Sequence, residues 1–376
     1  MPVTISGQCD PKFQAVRDAF ARNFDESGEI GARVAVIVES ETVVDLWGGH
    51  LAADKQALWN KNTLVNCMSV TKGVVALAAH LLHERGMLDY DKPVAHYWPE
   101  FGAAGKEEIT VRMAMSHQAS LAIIDDAVTG DIVDWDKFVA KIAAQKPNWT
   151  PCTNETYHSV TIGYITGELV RRIDGRTIQS FIREEIAAPL EADFYLGCTD
   201  DEIARVTHHI PNPANELMNG GLINENTMAQ FKPFPEDPLF MQTPEYLKLG
   251  FPSGGGVAHA EALARLFAPL ANDGAYKATK LFGHDTLRLM GQEQWRHADY
   301  LFGNDFRVAL GLLLNTPFNN WHREGNIGTA GAGGFCAFAD PENRLSFGYT
   351  PNRHTNGAGL GDEPNRLIES VYTSIR

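Results

Sequence analysis

The chain has 376 residues, 44% hydrophobic and 21% charged, which supplies apolar material for a large core and, by length, two or three compact units. A formal net charge of −15, from 47 acidic against 32 basic residues with no long basic run, argues against nucleic acid and membrane surfaces as partners and leaves a small neutral or cationic ligand. Five scattered cysteines (Cys9, Cys67, Cys152, Cys198 and Cys336) without C-x-x-C argue against a disulfide framework or zinc ribbon, and the start of the chain lacks a basic stretch followed by an apolar one, so reduced thiols and a cytoplasmic location are expected.

In chain order, Pro11 to Phe24 reads as a helix, and "ARVAVIVESETVVDLWGG" as two strands meeting in a hairpin at Glu39 to Glu41. A helix over 69–85 follows, stopped by Gly86. Residues 94–251 are helical and loop-rich, with prolines at 147, 151, 189, 211, 213, 233, 235 and 238. Towards the end, "RVALGLLLN" and "FCAFADPENRLSFGYTPN" read as strands, the latter folded at Asp340 to Asn343, and Glu363 to Ile375 as a helix. Strands at both ends around a helical middle predict an α/β (α+β) fold, an antiparallel sheet closed by the two termini and flanked by helices, with an inserted helical lobe. The sheet lobe is expected over about 1–93 and 252–376 and the helical lobe over about 94–251, with a site in the cleft between them.

Ser69 and Lys72 form the one S-x-x-K pair in the chain. At i, i+3 they share a helix face. A serine hydroxyl attacks well only when a base takes its proton, and lysine serves only with a lowered pKa. A helix N-terminus and the apolar neighbours Val70, Val74 and Val75 both disfavour an ammonium, and the same N-terminus aims an amide at a developing oxyanion. Against this stands a plain reading, Ser69 as helix cap and Lys72 as a solvated side chain, which in a chain with 12 serines needs no function.

The surrounding residues change the balance. "DLWGGHLAADKQALWNKNTLVNCMSVTKGVVALAAHLLHERGMLDYDKPVAHYWPEF", then "ITVRMAMSHQASL", "YHSVTIGYITGELVRRIDGR", "FPSGGG" and "TAGAGGFCAFADP" resemble, in order, the serine β-lactamase and DD-peptidase superfamily, its class C branch and above all the β-lactamase-like family VIII carboxylesterases. The resemblance spans nearly the whole chain and implies the β-lactamase-like fold. It implies Tyr157 in "YHS" as general base or proton shuttle, a phenolate or nearly so if Lys72 holds it, with Ser159 where asparagine is common. It implies Thr329, Gly331 and Ala332 as the third, substrate-binding box, with the Ala332 amide as second oxyanion donor and Gly331 letting substrate approach an edge strand. The usual basic residue of that box is absent.

Other candidates read as structural. Ser253 in "GFPSGGG" lacks the nucleophile-elbow spacing and marks a glycine-rich turn. His80 with His83, and His208 with His209, lack the carboxylate company of a metal site, and no metal or cofactor is expected. His117 and His158 are expected to hydrogen-bond and pack, and Asp125 and Asp126 to face solvent. Trp149, Phe231, Phe234 and Phe240 are candidates for an apolar pocket wall or for core. The expected activity is a serine hydrolase acting on a small ester or amide through an acyl-enzyme on Ser69, with Lys72 or Tyr157 as the initial base. A β-lactamase, D-amino-acid peptidase or amidase, acyltransferase or silent binding protein of the same fold are the alternatives.

Overall fold

The computed structural model describes residues 3–216 and 224–375. Six helices of ten residues or more lie among them: α1 (Gln14–Glu26), α2 (Val70–Glu84), α3 (Trp135–Ala144), α4 (Thr161–Asp174), α5 (Ala260–Ala271) and α6 (Asp362–Ile375). The strands are β1 (Ile5–Cys9), β2 (Gly31–Val38), β3 (Glu41–Gly49), β4 (Leu64–Asn66), β5 (Phe194–Leu196), β6 (Val206–Thr207), β7 (Gly256–Ala258), β8 (Ala275–Tyr276), β9 (Thr279–Lys280), β10 (Trp295–Ala298), β11 (Asp305–Val308), β12 (Leu313–Leu314), β13 (Ile327–Gly331), β14 (Phe335–Asp340) and β15 (Leu345–Pro351).

Nine of these strands form one antiparallel sheet, ordered β1-β3-β2-β15-β14-β13-β12-β11-β10, so both ends of the chain build it, as the sequence pattern predicts. Both faces are covered, which is why residues 34–38, "VAVIV", are apolar throughout instead of alternating with polar residues. Val34 and Val36 point into a core with Phe20 of α1 and Leu367 and Val371 of α6, while Ala35 and Ile37 point to the opposite core with α2 and α5. The β2–β3 hairpin turns through Glu39 and Ser40 at φ 51° and 69°.

Three elements depart from the sequence expectation. "RVALGLLLN" is not one strand: β11 ends at Val308, Gly311 takes φ 69°, and β12 folds back with Leu313 opposite Val308. A glycine inside an apolar run is what permits that reversal. Strand β1 was not signalled, because "ISGQC" at the sheet edge is mostly exposed and carries no apolar alternation. Residues 94–251 are not purely helical either: β5 and β6 join β7 and β4 in a small second sheet, ordered β5-β7-β4-β6.

Helix α2 runs through the larger core with all but two of its residues buried, an all-round apolar helix that could not stand in water. The backbone reaches it through Met68 at φ 49°, and it ends before Gly86 at φ 71°. Among the described residues no helix is long and apolar enough to cross a membrane.

Candidate active site

The first turn of α2 opens into a cavity of about 230 Å³. Ser69 stands at the N-cap, and Lys72 Nζ lies 3.0 Å from Ser69 Oγ and 2.7 Å from the carbonyl oxygen of Ser253, to which it donates. No carboxylate shares this turn, so burial alone acts on Lys72 and draws its pKa down to about 7. An amine within reach of neutrality at physiological pH, beside a serine hydroxyl, is the arrangement a general base requires.

Tyr157 faces Ser69 from the opposite wall, its hydroxyl in hydrogen-bond contact with Ser69 and its ring centroid 4.9 Å from Lys72 Nζ. Burial pushes its pKa up, more than the bond to Ser69 lowers it, and nearby Asp299 raises it further. The phenolate expected from the resemblance is therefore disfavoured: the tyrosine is a neutral hydroxyl, and Lys72 is the group poised to accept a proton.

Tyr157 is placed in part by Asp299 and Phe306, which carry no signal in the sequence. Asp299, on the loop between β10 and β11, accepts the Tyr157 amide through Oδ2 at 2.6 Å, and through Oδ1 the hydroxyl of Thr156 and the amides of Leu301 and Phe302. The Tyr157 ring stacks on Phe306, centroids 5.7 Å apart. His117 lies 4.7 Å from it on another side and accepts the His158 amide through Nδ1; burial, then His158 and Lys72, keep it neutral. His158 itself bonds only backbone here, Nδ1 to the Thr156 carbonyl and Nε2 to the Leu121 amide, in agreement with a packing role.

Ser253 is no nucleophile. Its hydroxyl is buried between the Val160 carbonyl, to which it donates, and the Gly163 amide, from which it accepts, and its own carbonyl holds Lys72. The same turn is tied to the front of α2, since Gly256 accepts from the Cys67 amide and donates to Thr71 Oγ1, and Asn66 donates to the Gly254 carbonyl. "FPSGGG" thus positions the lysine, a role that no spacing rule would have suggested.

The third box divides in two. Gly331 and Ala332 border the cavity, as does Ser159 across from them. Thr329 lies one layer back, its hydroxyl 3.3 Å from the Ser69 carbonyl to which it donates and its methyl against Gly73. Gly331 is required for packing, because a Cβ there would stand 2.6 Å from the Cys67 carbonyl oxygen. Strand β12 pairs with β13 only at Ile327 and Gly328, which leaves residues 329–331 a local edge. Neither the Ser69 nor the Ala332 amide donates to any partner among the described residues, so both are available to an oxyanion.

Most of the rest of the cavity wall is apolar, with Phe231 and Phe234 in it along with Met241, Phe251, Phe302 and Phe318, and Thr227, Asn304 and Asn319 add polar side chains. Phe240 packs behind the wall on Tyr246, and Trp149 lies elsewhere, edge-on to Tyr300. Lys72 is the one charged residue lining the cavity among the described residues. His80 bonds Tyr90 and the Leu310 carbonyl, His83 stacks on Tyr90, and His209 contacts His354, so these histidines serve the fold. No group of three or more His, Cys, Asp or Glu side chains able to hold a metal occurs among the described residues.

Residues 16–370 match the family model described as Beta-lactamase. The esterase/beta-lactamase LipL of Mycobacterium tuberculosis is 31% identical over 391 aligned residues, covering 99% of this chain and 88% of that protein. Among solved structures, a penicillin-binding protein homolog from Caulobacter crescentus superposes with a TM-score of 0.91 at 36% identity, covering 99% of this chain and 100% of that one. A family VIII carboxylesterase superposes with a TM-score of 0.91 at 33% identity, with the same coverage.

Proposed function

The chain belongs to the beta-lactamase family and is a hydrolase of that fold, and from this premise we propose that it cleaves small carboxylic esters through an acyl-enzyme on Ser69. The observation that carries the reading is an amine of pKa about 7 lying 3.0 Å from a serine hydroxyl, at the floor of a cavity otherwise lined without charge among the described residues.

Neutral Lys72 accepts the Ser69 proton as Oγ attacks the ester carbonyl. The oxyanion is met by the Ser69 and Ala332 amides, which no partner among the described residues engages. Tyr157, neutral and in contact with Ser69, passes a proton to the departing alkoxide and regains one from the Lys72 ammonium. Water then enters where the alcohol left and gives its proton to the same pair as it attacks the acyl carbon; as the C–Oγ bond breaks, that proton returns to Ser69 and the acid leaves.

Ester rather than β-lactam as substrate is supported by what the cavity lacks. Penicillin-recognising enzymes hold a substrate carboxylate with a basic third box; here that position is Thr329, set back from the cavity, and Ser159 replaces the usual asparagine. A missing charge-assisted partner costs roughly 1.5–3 kcal/mol, tenfold or more in affinity for an anion. A neutral ester loses nothing. Steady-state kcat/KM for p-nitrophenyl acetate or butyrate against nitrocefin tests the reading: a clear preference for the ester is expected, and a preference for nitrocefin would overturn it.

A further inference from the structure

The rings that line the cavity fall into two groups. Phe231, Phe234 and Phe251 pack on one another, with centroids 5.7 and 5.1 Å apart. Elsewhere in the wall Tyr157 lies 5.7 Å from Phe306 and 6.3 Å from Phe302, and Phe306 lies 6.0 Å from Phe318. The second group carries two carboxamides that the mechanism above leaves unused: Asn304, between Phe302 and Phe306 in the chain, and Asn319, next to Phe318.

Asn319 is 2% exposed, and its backbone is pinned: its amide donates to Thr316 Oγ1 at 2.9 Å and its carbonyl accepts the Thr316 amide at 3.2 Å. Its carboxamide makes no hydrogen bond among the described residues, yet neither the oxygen nor the nitrogen is among the unpaired side-chain atoms that are cut off from the surface. The small surface Asn319 keeps is therefore its carboxamide, presented where the residue borders the cavity. Asn304, half-buried, also makes no side-chain hydrogen bond among the described residues, while its carbonyl accepts the Asp299 amide at 2.8 Å. Polar groups held inside a protein normally have partners, and here the open direction is the cavity.

A carboxamide both donates and accepts, and the smallest uncharged group that does both in return is a hydroxyl. An ionic group finds no counter-charge in this wall, since Lys72 is the one charged residue lining the cavity among the described residues. Tyr157, which hands its proton to the departing alkoxide, belongs to the same group of rings, so the wall flanks the leaving alcohol. We propose that the alcohol half of the substrate carries a second hydroxyl and that Asn319, with Asn304 in the same wall, is the specificity-determining residue that binds it. This rests on the ester reading and narrows it to monoesters of diols.

The experiment measures kcat/KM for butyrate monoesters of terminal diols, stepped carbon by carbon, each against the butyrate of the plain alcohol of equal length, in wild type and in Asn319→Leu. The hydroxyl also alters the intrinsic reactivity of the ester, but equally for both proteins, so comparing the two ratios isolates its recognition. At one chain length the preference for the hydroxyl is expected to be about fivefold greater in wild type than in Asn319→Leu, the worth of one neutral hydrogen bond. Equal ratios in the two proteins at every length would overturn the proposal. An Asn319-dependent preference found instead among p-nitrophenyl esters of hydroxy acids would overturn the assignment to the alcohol half. If Asn319→Leu does not fold, Asn304→Leu, at the more open position, carries the same test with the same two outcomes. If no ester is turned over, the ester reading fails separately and the intact esters serve as ligands: a larger thermal shift with the hydroxyalkyl ester than with the plain one in wild type alone supports the pocket, and equal shifts refute it.

Discussion

Two stretches bring backbone amides to the same cavity by different means. The Ser69–Lys72 turn works through side chains three residues apart, and its chemistry depends on their identity. The Thr329–Ala332 stretch works through its main chain: Thr329 is turned away towards Ser69 and Gly73, Gly331 is there for packing, and Ala332 offers an N–H. The first region should be intolerant of any change in side-chain chemistry. Apart from Gly331, where any Cβ would clash, the second should tolerate new side chains and fail when the backbone itself is altered.

The largest effect tests the first half of that contrast. Ser69→Ala is expected to abolish p-nitrophenyl ester hydrolysis with folding retained, since loss of a serine nucleophile costs on the order of 10⁶ in turnover in a well-studied protease. Near-normal kcat would end the account. Lys72→Ala and Tyr157→Phe should each cost about 10²–10⁴ in kcat/KM, and the double variant little more than the worse single, because the pair moves protons as one unit. Losses that multiply would place one of them outside the reaction.

The second half is tested by backbone editing. Ala332→Pro, which deletes the N–H, is expected to lower kcat by about 10²–10³, while Ala332→Gly, which keeps it, stays near wild type. Equal losses in the two variants would show that the side chain matters and that the contrast is misplaced. Smallest of all, Thr329→Val should cost about 1 kcal/mol of stability, for one hydrogen bond to the Ser69 carbonyl, and less than tenfold in kcat. A collapse of activity would return Thr329 to the cavity.

The same division explains what the sequence reveals. Helix α2, the terminal helix and the central strands announce themselves by periodicity, and Ser69 with Lys72 by spacing within one turn, because each depends on neighbours in sequence. Asp299 is 142 residues from the amide it accepts and Ser253 is 181 residues from the lysine it holds; neither is signalled by its own surroundings. Thr329 has the position the resemblance implies but not the orientation, which is fixed by packing on Gly73. The protonation of Tyr157 was equally hidden, since burial sets it and burial is a property of the fold.

The central claim is that Ser69 is activated by a lysine that burial keeps near neutrality. The most direct measurement is the rate of covalent labelling by a fluorophosphonate across about pH 5 to 9, read as intact mass with the modified peptide identified. Lys72 must be unprotonated to act, and below its pKa of about 7 it is not. The account predicts a single adduct on Ser69, formed about tenfold more slowly for each pH unit below 7 and at a constant rate above it. No adduct, an adduct on another residue such as Ser253, or a rate indifferent to pH over that range would contradict it.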